Sequence, residues 1–429
     1  MMGNASTIPS KKILILTPQF PYPPHQGTTM RNYNLIAGLA QRHEVHLLAF
    51  GDPVESKDTP LDELCKSIQV VAPPERTMGQ RLWGLFFSRL PDMAQRLPSV
   101  EFGERLAATI ARVRPDIVEV EGIELAQYLF QAEQIRSGDQ SPLLVYDDHN
   151  AEYVLQQRAF ETDARQPGRW IPAAYSFIQW QRLRGYERRA CETADRVVAV
   201  SETDAGVLRD LVPQLEPEVV PNGVDMALCT EEVPPLAEGM GPSEGDLVFT
   251  AKMDFRPNVD AVQWFAQEIL PMILEEAPDT RFWVVGKDPH PRLAPLAKNP
   301  AIVMTGWVDD VRPFIAGAGV YVVPLRMGGG TRLKVLEAMA MGKAIVSTTV
   351  GSEGFEVTSG RELVLGDTPA QFAAAVVGLL RDPQRREELG KVARDFAASG
   401  YDWLIVVPML ERVYETRNTP HEPRTGTGV

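Results

Sequence analysis

The feature that most constrains this chain is the recurrence of short apolar, β-branched runs separated by stretches of helical periodicity. "KILIL" and "EVHLLAF" flank "MRNYNLIAGLAQR", which sets Tyr33, Ile36, Leu39 and Ala40 on one helical face. Further runs follow: "DIVEVEG", "LLVYDD", "RVVAV", "LVFTA", "RFWVVG", "AIVMTG", "VYVVP" and "AIVST". Most are apolar throughout rather than alternating, as strands covered on both faces should be. Strand–helix–strand repetition predicts parallel, doubly wound sheets, an α/β class. So many strands exceed one such sheet, and 429 residues suffice for two or three domains. After "VVPNGVD" the text turns to "TEEVPPLAEGMGPSEGD", whose Pro, Gly and Glu are linker composition. The first domain is therefore expected over 1–228 and the second from 229. The polar stretch 417–429 reads as a disordered tail.

A net charge of −14 argues against nucleic acid as a partner. The three cysteines, Cys65, Cys191 and Cys229, are far apart and form no C-x-x-C pair, so neither a disulfide framework nor a zinc site is expected. The opening "MMGNASTIPSKK" lacks a signal-peptide pattern, and no apolar run reaches the ~20 residues of a membrane span. The expected location is cytoplasmic.

One stretch carries chemistry: "MGGGTRLKVLEAMAMGKAIVST". It reads as a glycine loop beyond the carboxyl end of the strand "GVYVVP", then a helix with Leu333, Leu336 and Ala340 at core spacing. Gly342 is a natural C′ residue. Ligands of open α/β sheets bind at such strand ends. The helix N-terminus offers unpaired N–H groups, and glycines remove side chains that would block an anion. Lys334 and Glu337 share a face, and a lone acid in apolar text usually has a specific partner. A sugar diol is one such partner. "MGKA" is no Walker loop, because Glu337 stands where the first glycine should and Ala344 replaces Ser/Thr. The first strand is followed by no G-x-G-x-x-G.

The order of motifs resembles family 4 glycosyltransferases, retaining enzymes of the GT-B fold. It is carried by "PQFPYPPHQGTTMRNYNL", "DDHNAEY", "VVAVSETD", "VPNGVD", "FTAKMDFRPNVDAVQWF", "VVGKDP", "TGWVDDVRPFIAGAGVYVVPLRMGGGTRLKVLEAMAMGKAIVSTTVGSEGFEV" and "YDWLIVVPMLERVY". The GGGTR form resembles the sugar transferases of bacterial exopolysaccharide clusters. The resemblance implies two Rossmann-like domains facing a cleft. The second (229–401) would hold a nucleoside-diphosphate sugar and the first a glycan or lipid-linked acceptor. A last helix (402–416) would cross back to the first domain. Neither cofactor nor metal is implied.

Residue by residue, the resemblance puts Glu337 on the donor ribose and the Val308 backbone against the base. Lys252 matches the first phosphate cation; the second falls near Pro257, so Arg256, Arg332 or Lys334 must substitute. The family's other acid falls at Gly329, where the N–H groups of Gly329, Gly330 and Thr331 would replace it. His149 would contact the transferring sugar or orient the acceptor. Gly27 would let the backbone approach the donor phosphates, with Arg31 on the helix behind; its plainer role is a turn. Asp147 and Asp148 read as turn or cap residues, and Asp310 as an N-cap. Aimed cations and N–H groups favour a departing diphosphate, so Lys252 and Lys334 join His149 as catalytic candidates. The alternatives are a nucleotide-sugar epimerase of the same fold and a catalytically silent sugar-binding relative.

Two Arg-aromatic islands remain. "RTMGQRLWGLFFSRLPDMAQRL" carries Arg76, Arg81, Arg89 and Arg96 with Trp83, Phe86 and Phe87. "RWIPAAYSFIQWQRLRGYERR" carries Arg169, Arg182, Arg184, Arg188 and Arg189 with Trp170, Phe177 and Trp180. Each suits either an anionic membrane surface or a helix packed on its own core.

Overall fold

The computed structural model describes residues 9–415 apart from Gln26, 137–140, 166–167, 232, 234–235, 238 and 329. The side chains of Met78, Arg81, Leu82, Leu85 and Phe86 are likewise outside the description. The expected tail and Gly329 therefore fall outside the described residues.

The apolar runs become strands of two parallel sheets. The first contains β1 (Lys12–Thr17), β2 (Glu44–Phe50), β3 (Ser67–Val71) and β4 (Ile117–Glu121). It continues with β5 (Leu143–Asp148), β6 (Arg196–Ala199) and β7 (Glu218–Val219), in the order β3-β2-β1-β4-β5-β6-β7. The second contains β8 (Leu247–Thr250), β9 (Phe282–Val285), β10 (Ile302–Gly306), β11 (Val320–Val323), β12 (Ile345–Ser347) and β13 (Val364–Leu365). Its order is β10-β9-β8-β11-β12-β13. In both sheets the chain starts centrally, winds to one edge, and then winds to the other. This makes two Rossmann-like domains of the GT-B kind, as the alternating pattern predicts.

Seven helices matter for the site: α1 (Gly27–Leu39), α2 (Met78–Phe87), α3 (Glu152–Ala164), α4 (Trp170–Thr193), α5 (Arg256–Trp264), α6 (Leu333–Ala340) and α7 (Trp403–Glu415). The first sheet has a core on each face, and α1 and α7 close one of them. The packing there is tight. A Cβ on Gly38 of α1 would lie 2.4 Å from Val407 of α7, and one on Gly223 would lie 2.5 Å from the Trp403 ring. The crossing helix thus lies where the first domain has left room for it. Backbone bonds tie the two passages between domains: Val224 N–H donates to Tyr401 O (2.8 Å) and Trp403 N–H to Val224 O (3.3 Å).

Among the described residues, charged side chains also link the domains across the cleft. Arg158 of α3 reaches Glu353 (2.8 Å) and the carbonyl of Gly328 (3.3 Å). Arg256 of α5 reaches the buried Asp163 of α3 (3.4 Å), which also holds Arg169 (2.9 Å).

Some local readings differ. On α1 the inward residues are Thr29, Arg31, Asn32, Leu35, Ile36 and Leu39, so Tyr33 and Ala40 lie at the margin. On α6 the core residues are Val335, Leu336, Ala338, Met339 and Ala340, whereas Leu333 turns to the first domain and meets Gly27. Gly342, at φ 66°, follows the α6 C-cap residue Met341 as expected.

Gly38→Ala should press a methyl into Val407 and loosen the seat of α7. Overpacking of this kind costs roughly 1–3 kcal/mol. A lowered urea midpoint with native secondary structure is the expected reading; an unchanged midpoint would mean that α7 yields without cost.

Candidate active site

Both sheets point their carboxyl ends at the cleft, so the site is assembled from loops beyond β1, β4 and β5 on one side and β8, β10 and β11 on the other. On the second-domain side, α6 opens directly after the glycine loop. Lys334 donates from Nζ to Asn258 Oδ1 (3.0 Å) and lies 4.4 Å from the centre of the Phe249 ring. Asn258 in turn donates to Lys252 O (2.8 Å), coupling α6 to the β8 loop. Burial pulls the Lys334 amine down to about 7, with Arg332 adding to the effect. Burial, then Asp310, pushes the Glu337 carboxyl up to about 7 against the pull of Arg312 and Lys334. A weakly charged cation and a weakly charged acid thus sit one helical turn apart, each lacking a full counter-ion.

The loop itself is pressed against the first domain. Gly328 (φ 120°) has the Arg332 guanidinium packed over it, and Gly330 (φ 75°) faces Asn150. A Cβ on Gly330 would stand 2.1 Å from Asn150 Oδ1, so only glycine fits. The Thr331 hydroxyl is buried and unpartnered.

On the first-domain side, the centre is a buried charge cluster. Arg31 donates from Nη2 (2.7 Å) and Nε (3.1 Å) to Asp147 Oδ2, and from Nη1 to Pro221 O (3.0 Å) and Asn222 Oδ1 (3.3 Å). Glu119 and Glu121 project from β4 beside it, and Glu121 is Asp147's register partner across the sheet. Burial, compounded by the neighbouring acids, holds the Glu119 and Glu121 carboxyls well above the usual carboxylate range. The hydroxyl of Tyr414, on α7, hydrogen-bonds Glu119. His149 Nε2 lies 2.6 Å from Glu121 Oε2, and burial lowers the imidazole pKa.

Asp148 points to the other face of β5. Tyr146 donates to it (3.0 Å), and burial plus Glu187 raises its pKa. Glu187 accepts the first amides of α3, from Glu152 and Tyr153 (3.0 Å each), so this acid on α4 caps α3. Beyond His149 opens a cavity of about 270 Å³, walled by Gln19, Thr28, Arg96, Gly122, Glu124, His149, Asn150 and Glu152 among others.

The sequence candidates divide accordingly. Lys334, Glu337, Gly330, Thr331 and Arg332 gather at the head of α6, with Gly27 opposite: a Cβ there would be 3.4 Å from Leu333. Val308 lies just past β10, packed on the second core. Lys252 is half-exposed and paired with Asp254 (3.2 Å). Arg256 is engaged by Asp163 rather than held at the α6 head. Arg31 is 2% exposed and spent on Asp147, so it does not stand free behind Gly27. Asp147 is not a turn residue but the counter-ion of Arg31, and Asp148 is a buried acid behind the strand. Asp310 accepts the Arg312 amide (2.9 Å), as a cap would, one residue before the N-cap position.

Sequence reasoning missed Asn258, Glu121, Asn150 and the Arg158–Glu353 pair. A polar residue on the inward face of "RPNVDAVQW" was the available signal for Asn258. Of the basic islands, Arg76, Arg96 and Arg169 are tied to Asp92, Asp92 with Glu124, and Asp163. Trp180 packs on the core, while Trp83, Phe87, Trp170 and Ile171 are over 60% exposed.

Among the described residues, Glu121, Asp147 and His149 are the one group whose spacing would suit a metal ion. Arg31 already supplies the positive charge there, and Glu121 is already bonded to His149.

Residues 26–228 match the family described as Glycosyltransferase Family 4, and 244–382 the one described as Glycosyl transferases group 1. This chain belongs to the family 4 glycosyltransferases. Phosphatidyl-myo-inositol mannosyltransferase of Mycolicibacterium smegmatis is 34% identical over 205 residues, 46% of this chain and 51% of that protein. The match thus spans about half of that relative's length. An uncharacterized 44.6 kDa protein in the cps region of Klebsiella pneumoniae is 21% identical over 91% of this chain and 96% of its own. The fold is shared with many solved structures. Sucrose-phosphate synthase from Thermosynechococcus elongatus has a TM-score of 0.72 at 17% identity, over 94% of this chain and 98% of that one. Anabaena HepE in complex with UDP-glucose has 0.62 at 14% identity, over 95% and 100%. No helix of this glycosyltransferase, among its described residues, is long and apolar enough to cross a membrane.

The Lys334 amine titrates at about 7 in the folded glycosyltransferase against an ordinary 10.5. Between those values the unfolded chain binds more protons, so this group makes stability rise with pH, and its penalty is full at lower pH. Lys334→Met should stabilise the unliganded protein by roughly 1–3 kcal/mol near pH 6, the gain fading towards pH ~10. Denaturant midpoints across that range measure it. A gain independent of pH would mean that the amine is not held short of charge.

Proposed function

We propose that this chain transfers a hexosyl group, with retention of configuration and without a metal, from a nucleoside-diphosphate sugar to a glycan or lipid-linked glycan. The observation that carries the reading is the placement of Lys334 and Glu337 on α6, directly after the glycine loop whose Gly330 meets Asn150, the neighbour of His149. An arriving diphosphate supplies the negative charge that restores a full proton to Lys334. Glu337 takes the ribose hydroxyls, and Val308 lies beside the base. The C1–O bond to the diphosphate breaks as the acceptor oxygen bonds to C1 on the same face, and the acceptor's proton passes to the departing phosphate oxygen. Lys334, Arg332 and the amides of Gly330 and Thr331 stabilise the leaving charge. Lys252 closes over it after giving up Asp254. The likeness to a UDP-glucose-bound fold and to a mannosyltransferase supports a nucleotide hexose as donor.

The acceptor reading rests on the first-domain cavity, and a lipid-linked acceptor on a surface beside it. Trp83 and Phe87 of α2 and Leu90 stand exposed. Next to them Arg89, Arg182 and Arg189 line a shallow cavity of about 400 Å³. The chain then runs directly to Arg96 and Leu97, which wall the His149 cavity. We therefore place the enzyme peripherally on the cytoplasmic face of an anionic membrane.

Glu337→Ala should weaken a ribonucleoside diphosphate by about tenfold or more, yet leave its 2′,3′-dideoxy counterpart nearly unchanged in calorimetry. An equal loss for both would remove the diol role. Flotation with anionic vesicles should carry the protein at low salt and release it at high salt. A Trp83→Ser/Phe87→Ser/Arg89→Glu variant should stay behind. A wild type that never floats would make the acceptor a soluble glycan.

A further inference from the structure

Glu121 is 1% exposed, ends the central strand β4, and touches His149 Nε2 at 2.6 Å. Its surroundings decide which partner carries the hydrogen. Three buried acids, Glu119, Glu121 and Asp147, converge on one cation, Arg31, whose donors go to Asp147, Pro221 and Asn222. Asp147 is therefore the acid that takes the Arg31 ion pair. Neither other acid has a second fixed cation: Tyr414 offers Glu119 only a hydroxyl, and Glu121 meets only the imidazole, which burial disfavours as a cation. Around His149 itself stand Glu124 and Glu152, with Arg96 paired to Glu124. The far edge of the imidazole is placed by Gly122: a Cβ there would lie 3.7 Å from Nδ1 and 3.9 Å from Cε1, and Gly122 and His149 wall the same cavity.

We infer that Glu121 is the positioning residue of His149: its carboxyl O–H donates to Nε2 and so leaves Nδ1–H as a donor turned to the cavity. The inference rests on the reading of that cavity as the place where sugar and acceptor meet. There a neutral imidazole N–H binds an oxygen of the transferring sugar or acceptor, and takes no proton from the acceptor hydroxyl. No covalent step is assigned to His149. The usual partner of an active-site imidazole is a carboxylate that accepts its N–H, with the free nitrogen as base. Here the direction is reversed.

Nitrogen-15 spectra of histidine-labelled protein test the assignment, with the His149→Ala variant identifying the resonance. Nδ1–H with an unprotonated Nε2 is expected. Nε2–H, or a doubly protonated ring at neutral pH, overturns the inference. Kinetics supply the second arm. Glu121→Ala should lower turnover about 10–100-fold while donor KM changes little. Glu121→Gln, whose amide can also donate to Nε2, should restore most of the turnover and keep the Nδ1–H signal. If His149→Ala is impaired but Glu121→Ala is not, the positioning role is wrong and the site stands. If His149→Ala transfers sugar normally, the cavity is not the site of reaction and both fall. Melting curves of the Glu121 variants separate lost positioning from lost fold: a Glu121→Ala loss that Glu121→Gln shares, with both variants melting early, marks Glu121 as structural and overturns the inference.

Discussion

The Arg31–Asp147 pair is the interaction on which the first domain turns. It brings together α1, the end of β5 and the Pro221–Asn222 passage towards the second domain. Both groups are out of water, so the pair is valuable chiefly because breaking it strands a charge, at about 3–5 kcal/mol. Its second effect is on its neighbours. With Arg31 committed to Asp147, Glu119 and Glu121 are left to remain neutral, which makes one a partner for Tyr414 of the crossing helix and the other a partner for His149. Structural and chemical roles are therefore continuous along β4.

The two halves of the cleft solve the same electrostatic problem in different ways. The first domain overfills its pocket with acids and neutralises them with protons. The second leaves Lys334 with an amide and an aromatic ring for company and so holds it short of charge. Each arrangement costs stability in the empty protein, and each prepares a group for a substrate of definite polarity. On the proposed function, the anion would meet the under-charged lysine and the neutral sugar hydroxyls the side of the protonated acids.

Much of this was legible because parallel strands buried on both faces leave continuous apolar runs, and because Gly328 to Lys334 is an unusual string. Where polar residues are buried, the pattern misleads. "DIVEVEG" looks like a strand with a wet face, yet Glu119 and Glu121 are 0% and 1% exposed, since their partners come from α1, β5 and α7, distant in sequence. Arg31, on the helix behind Gly27, likewise has its partner, Asp147, on a strand distant in sequence. Leu333 has core spacing yet meets Gly27 of the first domain, because helical spacing cannot tell a core from an opposing domain. The edge strands β3, β7 and β13 escaped notice: β7 and β13 have two residues each, and β3 is half-buried, so none yields a long apolar run.

The backbone bonds between Val224 and the Tyr401–Trp403 segment have a kinematic consequence. The chain passes between domains twice, and the two passages are bonded to each other rather than lying apart. Two separated strands would act as a loose tether; two joined ones act as a door hinge, with essentially one rotation open to the domains. The crossing helix fixes one leaf of that hinge to α1. Opening the cleft about that hinge would have to part Arg158 from Glu353 and Arg256 from Asp163.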